Sequence, residues 1–352
     1  MTEGVAVRDA RADRAAGARR RRGIRLAVIW LGLVAVLAVL VWLSLFVGSR
    51  DVSAGAVWDA LRGRDAGFDF DAVIGYRVPR AVLAVLVGAA LGVSGLLIQR
   101  LMNNPLGDPQ ILGVNAGAAL AVTLGIGIFG LTSIWWNIGL AFVGAVLAMA
   151  VVYGLGTAGR GPLTPLRVTM AGIAVTAVLT GAVRGITLLW PNAFETLRIW
   201  EVGSVVGRDL SVTLRVAPFI VVGILIAFAV AHAVDVAGMG DEMATALGVR
   251  VATIRVVALV AVTLLAGAAT AAAGPIGFVG LMVPHAIRLA LGVTGRCAVA
   301  FAVVLGAVLV LAADVIGRVL VVPDEIPVGI VTAFVGAPIL ILLVRNSAGA
   351  SR

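Results

Sequence analysis

Ten apolar stretches, near 24–47, 81–102, 111–130, 138–156, 166–189, 213–233, 254–273, 276–292, 298–317 and 327–344, occupy most of this 352-residue chain. A helix needs about 20 apolar residues to cross a bilayer's hydrocarbon core, where every backbone N–H and C=O must be satisfied within the protein. Stretches of this length, joined by short connections, predict an all-α polytopic membrane protein of about ten transmembrane helices. Composition agrees, since 61% hydrophobic against 13% charged residues excludes a soluble globule. The expected division is an Arg-rich disordered tail over 1–23, a membrane domain over 24–345 and a short tail over 346–352.

The formal charge of +9 comes from 27 basic residues, every one of them arginine. Without lysine the chain has no Gly-Lys phosphate loop, so any ATP that drives it is hydrolysed by another polypeptide. One cysteine, Cys297, and two histidines, His232 and His285, are too few for a metal cage or a disulfide framework. No catalytic constellation and no metal site is read. A secondary transporter driven by protons would need ionisable groups near the midplane, and the apolar stretches offer only Arg184 and Asp314, both toward span ends.

The leading segment MTEGVAVRDARADRAAGARRRRGIR reads as a cytoplasmic topology anchor rather than a nucleic-acid-binding tail. The apolar stretch that follows exceeds a signal-peptide core, so an uncleaved first helix is expected. With both termini cytoplasmic, inner loops hold Arg100, Arg160, Arg167, Arg250, Arg255, Arg288, Arg296 and Arg345. Outer segments mix Arg50, Arg77, Arg80, Arg198, Arg208 and Arg318 with Asp51, Asp65, Asp69, Glu195, Glu201 and Asp209.

Glycines four apart, at Gly88/Gly92, Gly113/Gly117, Gly181/Gly185 and Gly203/Gly207, mark candidate close helix contacts. A gapless match of the run from Gly88 with that from Gly267 suggests an inverted internal repeat. Prolines in NNPLGDP and GPIGFVGLMVPH either make ordinary turns or break the backbone within protein or beside a water-filled path.

The runs RVPRAVLAVLVGAALGVSGLLIQRLMNNPLGDPQILGVNAGA, ALGVRV, GPIGFVGLMVPHAIRLALG and AADVIGRVLVVPDEIPVGIVTAFVGAPILILLVR occur in that order over about residues 75–345. In this they resemble the permease subunits of the iron-chelate and vitamin B12 ABC importers. The resemblance implies a vitamin B12 permease-like bundle in the bacterial cytoplasmic membrane. It implies as partners a second permease copy or paralogue, two cytoplasmic ATPase subunits that carry the ATP and magnesium, and an extracytoplasmic binding protein. The implied cargo is an iron chelate, a ferric siderophore before haem or cobalamin.

By the same resemblance Arg77, Arg80 and Arg318 receive acidic residues of the binding protein, and Asn104, Pro105 and Leu106 form the cytoplasmic gate. Where the vitamin B12 permease has small hydroxyl residues before the fifth span, this chain reads Thr164-Pro165-Leu166, which leaves a second constriction unassigned. The loop holding Asp241, Glu242, Ala246, Leu247, Gly248 and Val249 is the implied coupling loop. Its residues alone spell a helix with an acidic first turn and a glycine stop. Pathway candidates are Arg184, Pro284 and His285. Arg184 either serves anionic cargo or snorkels to the surface, and Arg318 has Asp314 one turn earlier as an internal alternative.

Overall fold

All ten expected spans are helices in the computed structural model, which describes residues 2–48, 52–64, 70–158, 164–321 and 324–349. Arg50, Asp51, Asp65, Asp69 and Arg160 lie outside the described residues. The spans are α1 (Thr2–Phe46), α3 (Val78–Leu101), α4 (Val114–Phe129), α5 (Ile134–Thr157), α6 (Pro165–Leu189), α8 (Leu210–Ala237), α10 (Val251–Ala273), α11 (Val279–Ala290), α12 (Gly295–Leu320) and α13 (Val328–Gly349). Three short helices lie between spans: α2 (Ala54–Leu61), α7 (Pro191–Trp200) and α9 (Asp241–Ala246). Seven spans have the length and apolarity to cross a membrane, and α4, α11 and Val328–Ile341 of α13 are shorter apolar helices.

The N-terminal tail departs from expectation. It is helical from Thr2, continuous with the first span, instead of irregular. Alanine and arginine, which dominate it, are among the best helix formers, and the span beneath supplies a template on which the helix extends at little cost. At the other terminus α13 likewise runs on to Gly349, past the expected boundary.

Two helices form the centre. In the most apolar window of the span through α3, 83% of residues are buried, and in that of α10, 78%, whereas that of α1 has no fully buried residue and that of α6 only 22%. The two matched glycine runs begin on these central helices, at Gly88 in the middle of α3 and at Gly267 near the end of α10, and continue through the break that follows each. Their burial depends on missing side chains. A Cβ on Gly88 would overlap the carbonyl of Gly306 on α12, and one on Gly306 would overlap that of Gly88. Gly117 of α4 and Gly144 of α5 are related in the same way. Gly181 and Gly185 face open space, so their spacing marks no contact within the chain.

The short spans α4 and α11 each follow irregular backbone. Residues Asn103 to Leu106 are an exposed turn, whereas Gly107 to Pro109 are buried, so each reading of these prolines holds for part of the segment. Asn103 (φ 47°) and Phe278 (φ 67°) take left-handed backbone to make the two breaks. The chain's two glutamines stitch the breaks together. Gln110 Nε2 donates to Ile276 O at 3.1 Å, and Gln99 Nε2 donates to Gly280 O at 3.2 Å. Side-chain amides thereby satisfy carbonyls that a helix would have paired itself.

Candidate functional site

The end of the bundle where α1 starts is here the tail end, and α1 finishes at the opposite end. There the last turn of α1 leaves carbonyls without helical partners. Two buried arginines from other helices take them. Arg77 Nη1 donates to Leu45 O at 2.7 Å and to Phe46 O at 3.0 Å. Arg318 Nη1 donates to Ser44 O at 2.8 Å and to Val47 O at 3.0 Å. A cation at a helix C-terminus also meets the negative end of the helix dipole.

Arg77 lies in a π-helical turn, Asp71–Arg77, that leads into α3. Arg80 follows three residues on and turns toward α12. Its Nε and Nη2 hold Asp314 at 2.8 to 3.1 Å, and Nη1 reaches Glu325 at 2.5 Å. Asp314 is also bonded by Arg318 Nη2, one turn along α12. Asp314 and Arg318 are 1% and 2% exposed, so this is an interior network. The three arginines that the sequence reading offered outward are thus brought together with their donors directed into the chain's own carbonyls and carboxylates, save the Nε of Arg318, which is buried without a partner among the described residues. They still line a cavity of about 470 Å³ at this end, with Glu325, Asp71 and Arg208.

At the tail end the gate candidates gather around a second polar space. Asn104 Oδ1 accepts from Leu106 N at 2.9 Å, closing a tight turn through Pro105. A cavity of about 260 Å³ joins Asn104 and Pro105 to Gln99, Arg100, Pro284 and Arg288. Leu106 is exposed and is not part of that lining. His285 turns its Nδ1 to Arg288 Nη2 at 2.8 Å, and its Nε2 is buried without a partner among the described residues. Arg184 is far from this group, exposed near the opposite end of α6. The sequence-predicted pathway residues therefore fall into two places.

Asp108, which the sequence reading did not single out, sits beneath the gate turn. Its Oδ1 accepts from Gln110 N at 2.8 Å and starts the short 3-10 turn Pro109–Leu112. Burial pushes its carboxyl up to about 6, against the pull of that single N–H.

The loop between α8 and α10 has the expected helix. Gly240 (φ 112°) and Gly248 (φ 79°) bracket α9, and Val249 N returns to Ala244 O at 2.9 Å. Asp241 is clamped by both terminal nitrogens of Arg255, at 2.7 and 3.1 Å. Ala244 is buried against the bundle, while Glu242, Ala246, Met239, Met243 and Leu247 stay exposed. Three large apolar side chains thereby stand in the open on a fixed, capped element.

Gln99, Gln110, Asp108 and Asn137 are polar residues that the sequence reading missed, and it placed Arg208 only among the outer charges. The two glutamines carried a signal in being the chain's only two, both beside one break.

The chain matches the FecCD transport family over residues 36–346. It is 43% identical over 319 residues to the ferric enterobactin transport system permease protein FepD of Escherichia coli (strain K12), covering 90% of this chain and 94% of that one. It is 34% identical over 322 residues to the hemin transport system permease protein HmuU of Yersinia pestis, covering 90% and 95%. Among solved structures it resembles a transporter assigned to the metal-chelate ABC type in an inward-facing conformation. That likeness has a TM-score of 0.80 at 25% identity and covers 91% of this chain and 99% of the other.

Proposed function

The chain belongs to the FecCD transport family, and from that premise we propose that it carries an iron chelate, a ferric siderophore first of all, across the bacterial cytoplasmic membrane. It is a permease subunit of an ABC importer and has no catalysis of its own. Relatives named for ferric enterobactin, iron(3+)-hydroxamate and Fe(3+)-citrate support that cargo. A relative named for hemin keeps haem as the second reading.

The observation that carries the reading is α9. An ABC permease with no nucleotide loop of its own needs a mechanical input, and an exposed apolar knob held by Asp241–Arg255 is suited to receive one from a cytoplasmic ATPase subunit. In this reading the tail end, with its arginines, faces the cytoplasm, as the excess of Arg beside the spans supports. Asn104 and Pro105 narrow the exit above it. The weakly covered apolar faces of α6 and α13, with Ile173, Val178 and Phe334 exposed, would lie against a second permease. An extracytoplasmic binding protein docks on the opposite end. The Arg77, Arg80 and Arg318 network frames that surface, and Arg80 contributes at its rim. Deleting the gene and growing the strain under iron limitation tests the cargo: growth on ferric siderophores fails and returns with the gene, whereas unimpaired growth on every chelate refutes the reading.

A further inference from the structure

A second cavity at the opposite end, of about 480 Å³, shares the wall formed by Val206 and Arg208 with the first. It lies between the α4–α5 turn, α7 and the last residues of α10. Ile134, Ile199 and Trp200 give it an apolar side, and a few polar groups stand at fixed points. That is the make-up of a small-molecule site.

Two of those polar groups are bare. Arg208 Nε and Asn137 Oδ1 are buried and have no hydrogen-bond partner among the described residues. Of the nearby acids, Asp71 lines the first cavity with Arg208 but makes no ion pair with it, and four others are committed elsewhere. Asp209 caps α8 through Val212 N at 3.1 Å and Ser211 Oγ at 2.6 Å, and Glu195 holds Arg198 at 2.8 Å. Glu325 and Asp314 hold Arg80, and Asp314 also Arg318. Burial keeps the Arg208 guanidinium below its ordinary value, and no carboxylate among the described residues offsets this.

The loop that carries Arg208 is built to hold it there. Ser204 N bonds to Ala273 O at 2.7 Å, Val206 N to Ser204 Oγ at 3.1 Å, and Gly203 and Gly207 supply left-handed turns at φ 73° and 68°. A half-buried guanidinium on a fixed loop, its Nε buried and without a carboxylate among the described residues, presents a fork that matches an anionic oxygen pair.

We infer that this cavity binds one arm of the iron chelate itself: Arg208 takes an anionic carboxylate, hydroxamate or catecholate oxygen, and Asn137 accepts from an adjacent N–H or O–H. The inference rests on the iron-chelate cargo proposed above. It places a ligand contact on the permease before the translocation path, where a cation in a low-dielectric wall concentrates anionic cargo.

The test uses the reconstituted permease–ATPase complex without binding protein, titrated with radio-iron ferric enterobactin and ferric citrate. The parent should bind at least one of them saturably, and Arg208→Ala should weaken that binding by about tenfold or more. Arg208→Lys, which keeps the charge and loses the fork, should fall between, and it serves where the alanine variant does not assemble. Asn137→Leu should weaken binding as well. No saturable binding by the parent, or binding by Arg208→Ala within about twofold of the parent, overturns the inference. So does an Arg208→Ala complex that keeps chelate binding and loses the binding protein, since the carboxylate would then come from that protein. The cargo reading is checked separately by uptake. A parent complex that imports no iron chelate fails both, whereas normal uptake with an indifferent Arg208→Ala fails only the inference.

Discussion

Arg80 on α3 grips Asp314 on α12 through three hydrogen bonds, Nε at 3.0 and 3.1 Å from the two carboxylate oxygens and Nη2 at 2.8 Å from Oδ1. The bonds pin the start of α3 to the end of α12, beyond the point where Gly88 and Gly306 let those helices touch. Removing the carboxylate takes the ion-pair partner from buried Arg318 and leaves half-buried Arg80 with Glu325 alone, a loss of about 3–5 kcal/mol where one partner of a buried pair is removed. Asp314→Asn should therefore purify poorly from detergent and unfold at markedly lower temperature. Parent-like thermal unfolding would show that the network holds nothing together. Glu325→Gln, at the exposed rim, should cost far less and leave Arg80 freer for a docking carboxylate.

Close helix contact makes a second prediction. Gly306→Val places a branched side chain where the Gly88 carbonyl lies, and overpacking of this kind costs about 1–3 kcal/mol or more. Its melting midpoint should fall, and Gly181→Val, facing open space within the chain, should leave this monomer contact unchanged. Equal behaviour of Gly306→Val and the parent would remove the glycine contact from the account.

A third prediction concerns transmission. Leu247 is exposed, so Leu247→Asp should change the chain's own stability by no more than about 0.5 kcal/mol. Gly248→Pro forces φ from 79° to the proline value and unmakes the turn that closes α9. Together they should break the link between ATP hydrolysis and transport while the binding protein still docks. Measured side by side, stimulated ATPase activity and uptake that both match the parent would rule out α9 as the coupling element.

The buried acid beneath the gate makes a pH prediction. The Asp108 carboxyl is raised from the usual 3.8 to about 6, so between those values the folded chain binds more protons than the unfolded chain. The stability it contributes is complete below about pH 4 and is lost as pH rises through about 6, roughly 3 kcal/mol in all. Asp108→Asn should abolish that slope in detergent melts taken from pH 4 to 7. A slope that persists in the variant would assign it to another group.

Much of this was legible in the residues because a membrane span is a long, one-sided signal. The ten apolar stretches became ten helices, and the acidic start and glycine stop of α9 appeared where the wording placed them. What escaped was contact across the sequence. Nothing in the spacing of Arg80 and Asp314, 234 residues apart, says that they pair, so Arg77, Arg80 and Arg318 read as outward cations when their donors turn inward. Arg208 read as one more loop arginine, since its burial depends on α7 and α10 closing over it. The tail read as irregular because its polarity was weighed above its alanine and arginine content.

The most direct measurement of the central claim is uptake of radio-iron ferric enterobactin into proteoliposomes that hold this chain, its ATPase subunits and its binding protein. Iron should accumulate inside only with ATP and binding protein together, and Leu247→Asp with Gly248→Pro should abolish accumulation without releasing the binding protein. Accumulation that proceeds without ATP, or that follows a proton gradient alone, would contradict the account.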